Sequence, residues 1–232
     1  MKASILKKSL ISMIDSKIPV FVWGNPGVGK SSIIKQIAND KNMEFIDLRL
    51  SLLDPTDLRG IPFFDSANKS AIWAKPEFLP NSNSQAFGIL FLDEINSAPP
   101  TVQAAAYQLI LDRKIGEYTL PMNYAIVAAG NYESDRGVTY RMPTPLANRF
   151  VHLDFELDFE EWKSWAYESK IDTRIISFLS YKPQNLFTFD AKAKEKSFAT
   201  PRSWSFVNDI LNSNLQIEFL KAFASLPRKE PL

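Results

Sequence analysis

No cysteine occurs among the 232 residues, and His152 is the single histidine. Disulfide frameworks and thiolate metal sites are therefore excluded, and one imidazole cannot build a zinc cluster. An excess of charge is missing too. The 27 Lys and Arg residues stand against 26 Asp and Glu, so no overall basic surface recommends nucleic acid as the partner. A locally basic pore stays compatible with that balance, because net charge carries no information on distribution. No apolar run approaches the roughly 18 residues that a membrane span needs. The N-terminal stretch is broken by Lys2, Lys7, Lys8 and Asp15 and does not read as a signal peptide. The expectation is a cytoplasmic protein with no membrane partner. Hydrophobic residues make up 45% and charged residues 23%, which lets a chain of this length bury a core without covalent staples.

The pattern along the chain alternates between two periods. Ile5, Leu6, Leu10, Met13 and Ile14 fall at helical spacing over residues 4–16. Pro19 to Trp23 is a compact apolar run that ends in Gly24, as a buried strand feeding a turn would. Ser31 to Asn39 predicts a helix and Glu44 to Leu48 a second strand. Residues 50–80 break the rhythm: Asp54 to Gly60 is turn chemistry, and Ile61–Phe64 with Ala71–Trp73 predict an inserted hairpin. Gly88 to Leu92 is a strand of the buried parallel kind, Ile126 to Ala129 another buried strand and Phe150 to Leu153 a fifth strand, and Thr101 to Leu111 is a helix behind Pro100. Alternation of this sort implies an α/β fold with a parallel five-stranded sheet and right-handed crossovers. From Asp154 onward the pattern turns all-helical, around Trp162 to Leu179, Trp204 to Leu211 and Ile217 to Phe223, with a loop over 182–201. The expected organisation is an α/β core over 1–153, with its insertion near 50–80, and a small helical lid over 154–232.

The densest chemical signal is Gly24-Asn25-Pro26-Gly27-Val28-Gly29-Lys30-Ser31, with Ser32 next. Glycines admit close approach, and the consecutive N–H groups of Gly27 to Ser32 can face anionic oxygens at a helix N-terminus. Lys30 supplies charge to the β- and γ-phosphates of a nucleotide, and Ser31 offers a hydroxyl to Mg²⁺. The acidic pair Asp93-Glu94 ends the strand Ile89 to Leu92, where open α/β sheets bind ligands. Asp93 suits the Mg²⁺ shell, and Glu94 suits a general base that polarises water. A base for water favours hydrolysis over transfer to another acceptor. Asn131, after Ala128-Ala129-Gly130, is either a γ-phosphate contact or a turn residue. Arg149 is either a transition-state finger or a surface arginine, and Arg136 and Arg141 compete for the same assignment. Arg202 falls in the first turn of a helix begun by Thr200 or Pro201. A cation is unfavourable there, which points to a role beyond helix stability. A guanine-specific enzyme needs Asn-Lys-x-Asp, and Asn68-Lys69-Ser70-Ala71 fails at its fourth position.

Taken in order, these pieces resemble the AAA+ ATPases of the MoxR and dynein-related group over nearly the whole chain. Gly24–Ser31 resembles Walker A, Leu90–Glu94 Walker B, Asn131 sensor 1, Arg149 the arginine finger and Arg202 sensor 2. Asp93-Glu94-Ile95-Asn96 and Ala98 to Gln103 are similar to this group in particular. The hairpin within 50–80 is similar to its helix-2 insertion, and Arg113 to Pro121, turning at Gly116, to the hairpin before sensor 1. The resemblance implies ATP/ADP and Mg²⁺ as ligands and a homo-oligomer, usually a hexameric ring, in which Arg149 reaches the neighbour's nucleotide. It implies Arg202 acting within or between subunits, and a protein client or a partner with a von Willebrand factor A domain. A motor or loader on nucleic acid is the alternative, with Lys69, Arg113 and Lys114 as candidate pore or groove cations.

Overall fold

A computed structural model describes residues 1–67, 69–135, 139–140, 142–192 and 197–213. The elements are α1 (Ala3–Asp15), β1 (Val20–Trp23), α2 (Lys30–Asp40), β2 (Glu44–Arg49), α3 (Pro55–Arg59), β3 (Ile61–Asp65), β4 (Ser70–Ala74) and β5 (Gly88–Asp93). There follow α4 (Pro100–Asp112), β6 (Lys114–Ile115), β7 (Tyr118–Thr119), β8 (Tyr124–Gly130), α5 (Thr144–Ala147), β9 (Val151–Asp154), α6 (Phe159–Glu168), α7 (Thr173–Tyr181) and α8 (Pro201–Asn212).

The main sheet has five strands in the order β2-β5-β8-β1-β9, all parallel. Hydropathy explains which strands are central. Every residue of β5 and β8 is buried, so both faces must be covered, and these strands occupy the interior of the sheet. In β2 only Ile46 and Leu48 are buried, and this alternation suits its place at an edge. Side chains leave the sheet on two sides. Phe21, Leu90 and Leu92 join one core with Leu109 of α4, and Val20, Val22, Ile89 and Phe91 join another with Leu6, Leu10 and Ile14 of α1. A third cluster, around Trp162, Ile175, Ile176 and Leu179, lies among the helices after β9.

Several expectations are sharpened. The span 54–60, read as a turn, contains the short helix α3: Pro55 opens it, and the Asp57 carboxylate accepts the Asp54 N–H at 2.8 Å. The hairpin β3–β4 pairs Ile61 with Ala74 through Asp65 with Ser70, and β6–β7 turns at Gly116. Arg113 is not a pore cation. It sits in the left-handed region at the end of α4, and its guanidinium donates inward to the carbonyls of Pro121 at 2.5 Å and Tyr124 at 2.6 Å. His152, read as a packed structural residue, is exposed on the edge strand but fully bonded. Trp23 Nε1 donates to its Nδ1 at 2.9 Å, so the proton lies on Nε2, which donates to the Ala147 carbonyl at 2.8 Å. The helix expected over 217–223, and Asn68, Arg136, Arg141 and the Lys194–Lys196 end of the charged loop, lie outside the described residues. No helix among the described residues is long and apolar enough to cross a membrane.

Candidate active site

β1 delivers the chain into the loop 24–29, and the loop delivers it into α2. Gly27 (φ 76°) and Gly29 (φ 106°) take the left-handed conformations that make the turn. Gly29 caps α2 with no side-chain hydrogen bond, so the first-turn N–H groups keep their capacity for an anion. Val28 is buried against Val20 and Phe155 and anchors the loop from below. Pro26 and Asn25 form its outer rim, and Asn25 Nδ2 donates to Asp135 Oδ1 at 3.0 Å. Ser32 is exposed at the first turn of the helix.

Lys30 is 8% exposed. Its ammonium donates to the carbonyls of Gly24 (2.6 Å) and Asn25 (3.0 Å) and to Asn131 Oδ1 (2.9 Å), which uses all three protons. Burial pushes its pKa down to about 8; Asp93, Asp135 and Glu94 oppose that shift, and Arg202 adds to it. Ser31 Oγ donates to Asp93 Oδ2 at 3.1 Å, and the Glu94 N–H donates to Asp93 Oδ1 at 2.9 Å. Burial raises the Asp93 carboxyl above its ordinary value against the Ser31 hydrogen bond, and the neighbouring Glu94 charge raises it further. Positions 30, 31, 93 and 131 thus meet through direct bonds, although the chain separates them widely.

Glu94 has φ 56° and ψ 32°, a left-handed conformation that costs a non-glycine residue about 1 kcal/mol or more. The turn aims its carboxylate back toward the end of β2, where Ser51 Oγ donates to Oε2 and Arg49 Nε stands 3.9 Å from Oε1. Neither of those two residues belongs to a motif, so no pattern in the sequence points to them. Asn96, in the same tight turn, donates from Nδ2 to the Asn131 carbonyl at 2.7 Å.

The helices after β9 close one side. Thr200 caps α8 by accepting the Ser203 N–H at 3.1 Å, and the Arg202 N–H donates to the Gly27 carbonyl at 3.3 Å. A Cβ on Gly27 would fall 2.8 Å from Thr200 Oγ1, so the loop and α8 are in close contact. Arg202 therefore belongs to this neighbourhood. Arg149 does not: it follows α5, is exposed, and its guanidinium has no bonded partner among the described residues. A cleft of about 1010 Å³ runs from Gly29 and Ser31 past Leu157 and Trp165 to Arg202. Lys30, Asp93, Glu94 and Asn131 do not line it, so the cleft meets this site at the phosphate loop and α8 and not at the acidic pair.

Such an arrangement can hold a triphosphate by its backbone and Lys30, with oxygen ligands and a carboxylate beside its end. Comparison with known proteins agrees. A model of the ATPase family associated with various cellular activities (AAA) matches residues 19–152. The chaperone MoxR1 of Mycobacterium tuberculosis is 28% identical over 152 residues, 63% of this chain and 38% of that protein. The replication factor C large subunit of Ignicoccus hospitalis is 30% identical over 107 residues, 46% of this chain and 20% of that protein. In fold, a RuvB point mutant of Thermotoga maritima aligns with a TM-score of 0.52 at 20% identity, over 97% of this chain and 65% of that one. The chain thus spans well under half the length of the two curated relatives.

Proposed function

This chain belongs to the AAA family of ATPases, and on that premise we propose that it hydrolyses ATP in a ring of identical subunits to remodel a protein partner. The observation that carries the hydrolytic reading is the convergence of Lys30, Asp93 and Asn131, with Glu94 one residue beyond. The partition into a core over 1–153 and a lid over 154–232 is supported by the separate cluster around Trp162 and Leu179.

The loop N–H groups of Gly27 to Ser32 bind the phosphates, and Lys30 trades some of its present oxygens for those of the β- and γ-phosphates. Ser31 and Asp93 fit Mg²⁺. They are hard oxygen donors in contact, and the acidic pair Asp93–Glu94 would repel a triphosphate without an intervening cation. When bound, that ion neutralises charge on the transferred phosphoryl group. Glu94 accepts a proton from water as the water oxygen bonds to the γ-phosphorus. The bond from that phosphorus to the bridging oxygen breaks, and ADP leaves with the electron pair. Asn131 orients the γ-phosphate and the water. Arg202, whose N–H donates to the Gly27 carbonyl of its own phosphate loop, serves the same subunit's nucleotide. Arg149, exposed and without a partner among the described residues, serves the neighbour's.

MoxR1 is described as a chaperone, and that similarity supports a protein client; a partner with a von Willebrand factor A domain is what the resemblance to the MoxR group implies. Turnover is the direct test of the hydrolytic reading. Glu94→Gln should lower kcat by about 10²-fold or more while nucleotide still binds, and Lys30→Ala should lose binding. Unchanged turnover in Glu94→Gln would remove the mechanism. The match to a replication factor C subunit favours a second reading, a motor on nucleic acid. That reading requires salt-dependent DNA binding and DNA-stimulated turnover.

A further inference from the structure

Asn96 is 2% exposed, and it makes contacts that neither the phosphate loop nor the acidic pair requires. It lies in the tight turn after Glu94, which is closed by the Ser97 N–H donating to the Glu94 carbonyl at 2.9 Å. From there its side chain crosses to the end of β8, where Nδ2 donates to the Asn131 carbonyl at 2.7 Å. Its main-chain carbonyl accepts the Tyr140 N–H at 2.6 Å, on the segment that leads to α5 and Arg149. A residue of the acidic turn thus bonds through its side chain to the strand end that carries Asn131, and through its main chain to the approach to Arg149.

Two further features show that the contact is built. Its Oδ1 is buried without a hydrogen-bond partner among the described residues, a cost of about 1–3 kcal/mol that natural proteins rarely carry without a reason. The amide is nonetheless held in one orientation, because only its NH₂ end can serve the Asn131 carbonyl. The space is also reserved: a Cβ at Gly130 would lie 2.3 Å from Asn96 Oδ1 and 2.7 Å from Phe21 Cζ, so any larger residue would push the amide out.

We propose that Asn96 is a positioning residue that locks Glu94 and Asn131 into one unit and ties that unit to the segment leading to Arg149. It acts through those residues and does not itself reach the reacting atoms. The physical need is geometric. Glu94 sits on a strained left-handed backbone and Asn131 on a strand end, and both must face one water. A misplacement of about 1 Å at such a centre can cost about 10²-fold in rate. The inference rests on the hydrolytic reading of Glu94 given above.

The test compares wild type, Asn96→Asp, Asn96→Ala and Gln103→Met, each with its melting temperature, ATP affinity, kcat and KM. Asn96→Asp keeps the shape but replaces the donor with an acceptor against the Asn131 carbonyl. Gln103 is the matched control. It is 3% exposed, and its amide donates to the Ala98 carbonyl at 2.9 Å, yet it bonds to none of the residues assigned to catalysis. Both Asn96 variants should lower kcat about tenfold or more with KM and ATP affinity within about twofold, whereas Gln103→Met loses melting temperature without that split. A wild-type kcat in Asn96→Asp overturns the proposal, and so does a kcat loss that simply tracks melting temperature across all three variants. Hydrogen exchange gives a readout independent of turnover. The Tyr132 amide, in the peptide whose carbonyl Asn96 holds, should exchange about tenfold faster in Asn96→Ala than in Gln103→Met, and equal rates also overturn the proposal. A wild type that does not hydrolyse ATP would sink the hydrolytic reading, and the exchange comparison would still decide whether Asn96 ties these segments together.

Discussion

Lys30 holds a positive charge where most water has been removed. Burial lowers its pKa to about 8 from an ordinary value of 10.5. Between those two values the unfolded chain binds the proton and the folded chain sheds it, so stability rises with pH across that window. Below about pH 8 the full penalty, about 3 kcal/mol, is present in the folded state. The gap in stability between wild type and Lys30→Met should therefore move in favour of wild type by about 2 kcal/mol from pH 7.5 to pH 10 in urea unfolding. A gap that stays constant with pH would remove burial as the cause. A binding residue that weakens its own fold is what a site kept ready for a polyanion requires, since the phosphates supply the missing counter-charge. At this scale the phosphate loop was legible because eight contiguous positions carry it. The residues that hold Glu94 were not. Ser51 lies 43 positions from it in the chain, and only the turn that ends β2 brings the two together.

Among the elements, α8 shows how a helix end can serve two purposes. Thr200 caps it through Ser203 and also packs against Gly27 of the phosphate loop. Thr200→Ala should cost about 1 kcal/mol through the lost cap, lower the melting temperature and weaken ATP binding. Thr200→Ser keeps the cap and should recover most of the stability. If thermal melts and ATP titrations place the alanine and serine variants together, the cap has no part in the effect. Strand order was partly legible from hydropathy: the continuous apolar runs of β5 and β8 could only be central, and the alternation of β2 suited an edge. The helix α3 was missed because five residues are too few to show a period, and Asp54, Pro55 and Gly60 read equally well as a turn. The start of α8 was legible, because Thr200 and Pro201 are both helix-opening residues and Arg202 followed them in the first turn.

In the whole molecule, Arg149 decides between a site complete in one chain and a site shared between chains. If it acts on a neighbour, native mass measurement should find a higher oligomer with ATP. Two inactive variants should also rescue each other. Mixing Glu94→Gln with Arg149→Ala places an intact Glu94 beside an intact Arg149 of the next subunit, so turnover should recover to about a quarter of wild type or less, in proportion to such pairs. No recovery in mixtures that do form rings would assign Arg149 to its own chain. The parallel sheet, the phosphate loop, the acidic pair and the family itself were determined by sequence alone, because each depends on contiguous residues or on a short hydrophobic period. Tertiary structure decided the rest: the three acceptors around Lys30, the grip of Ser51 on Glu94, the reach of Asn96 to Asn131, and the contact of Thr200 with Gly27. Each of these joins segments distant in the chain, and their distances follow from how the strands are ordered and the helices packed, which no local pattern of residues specifies.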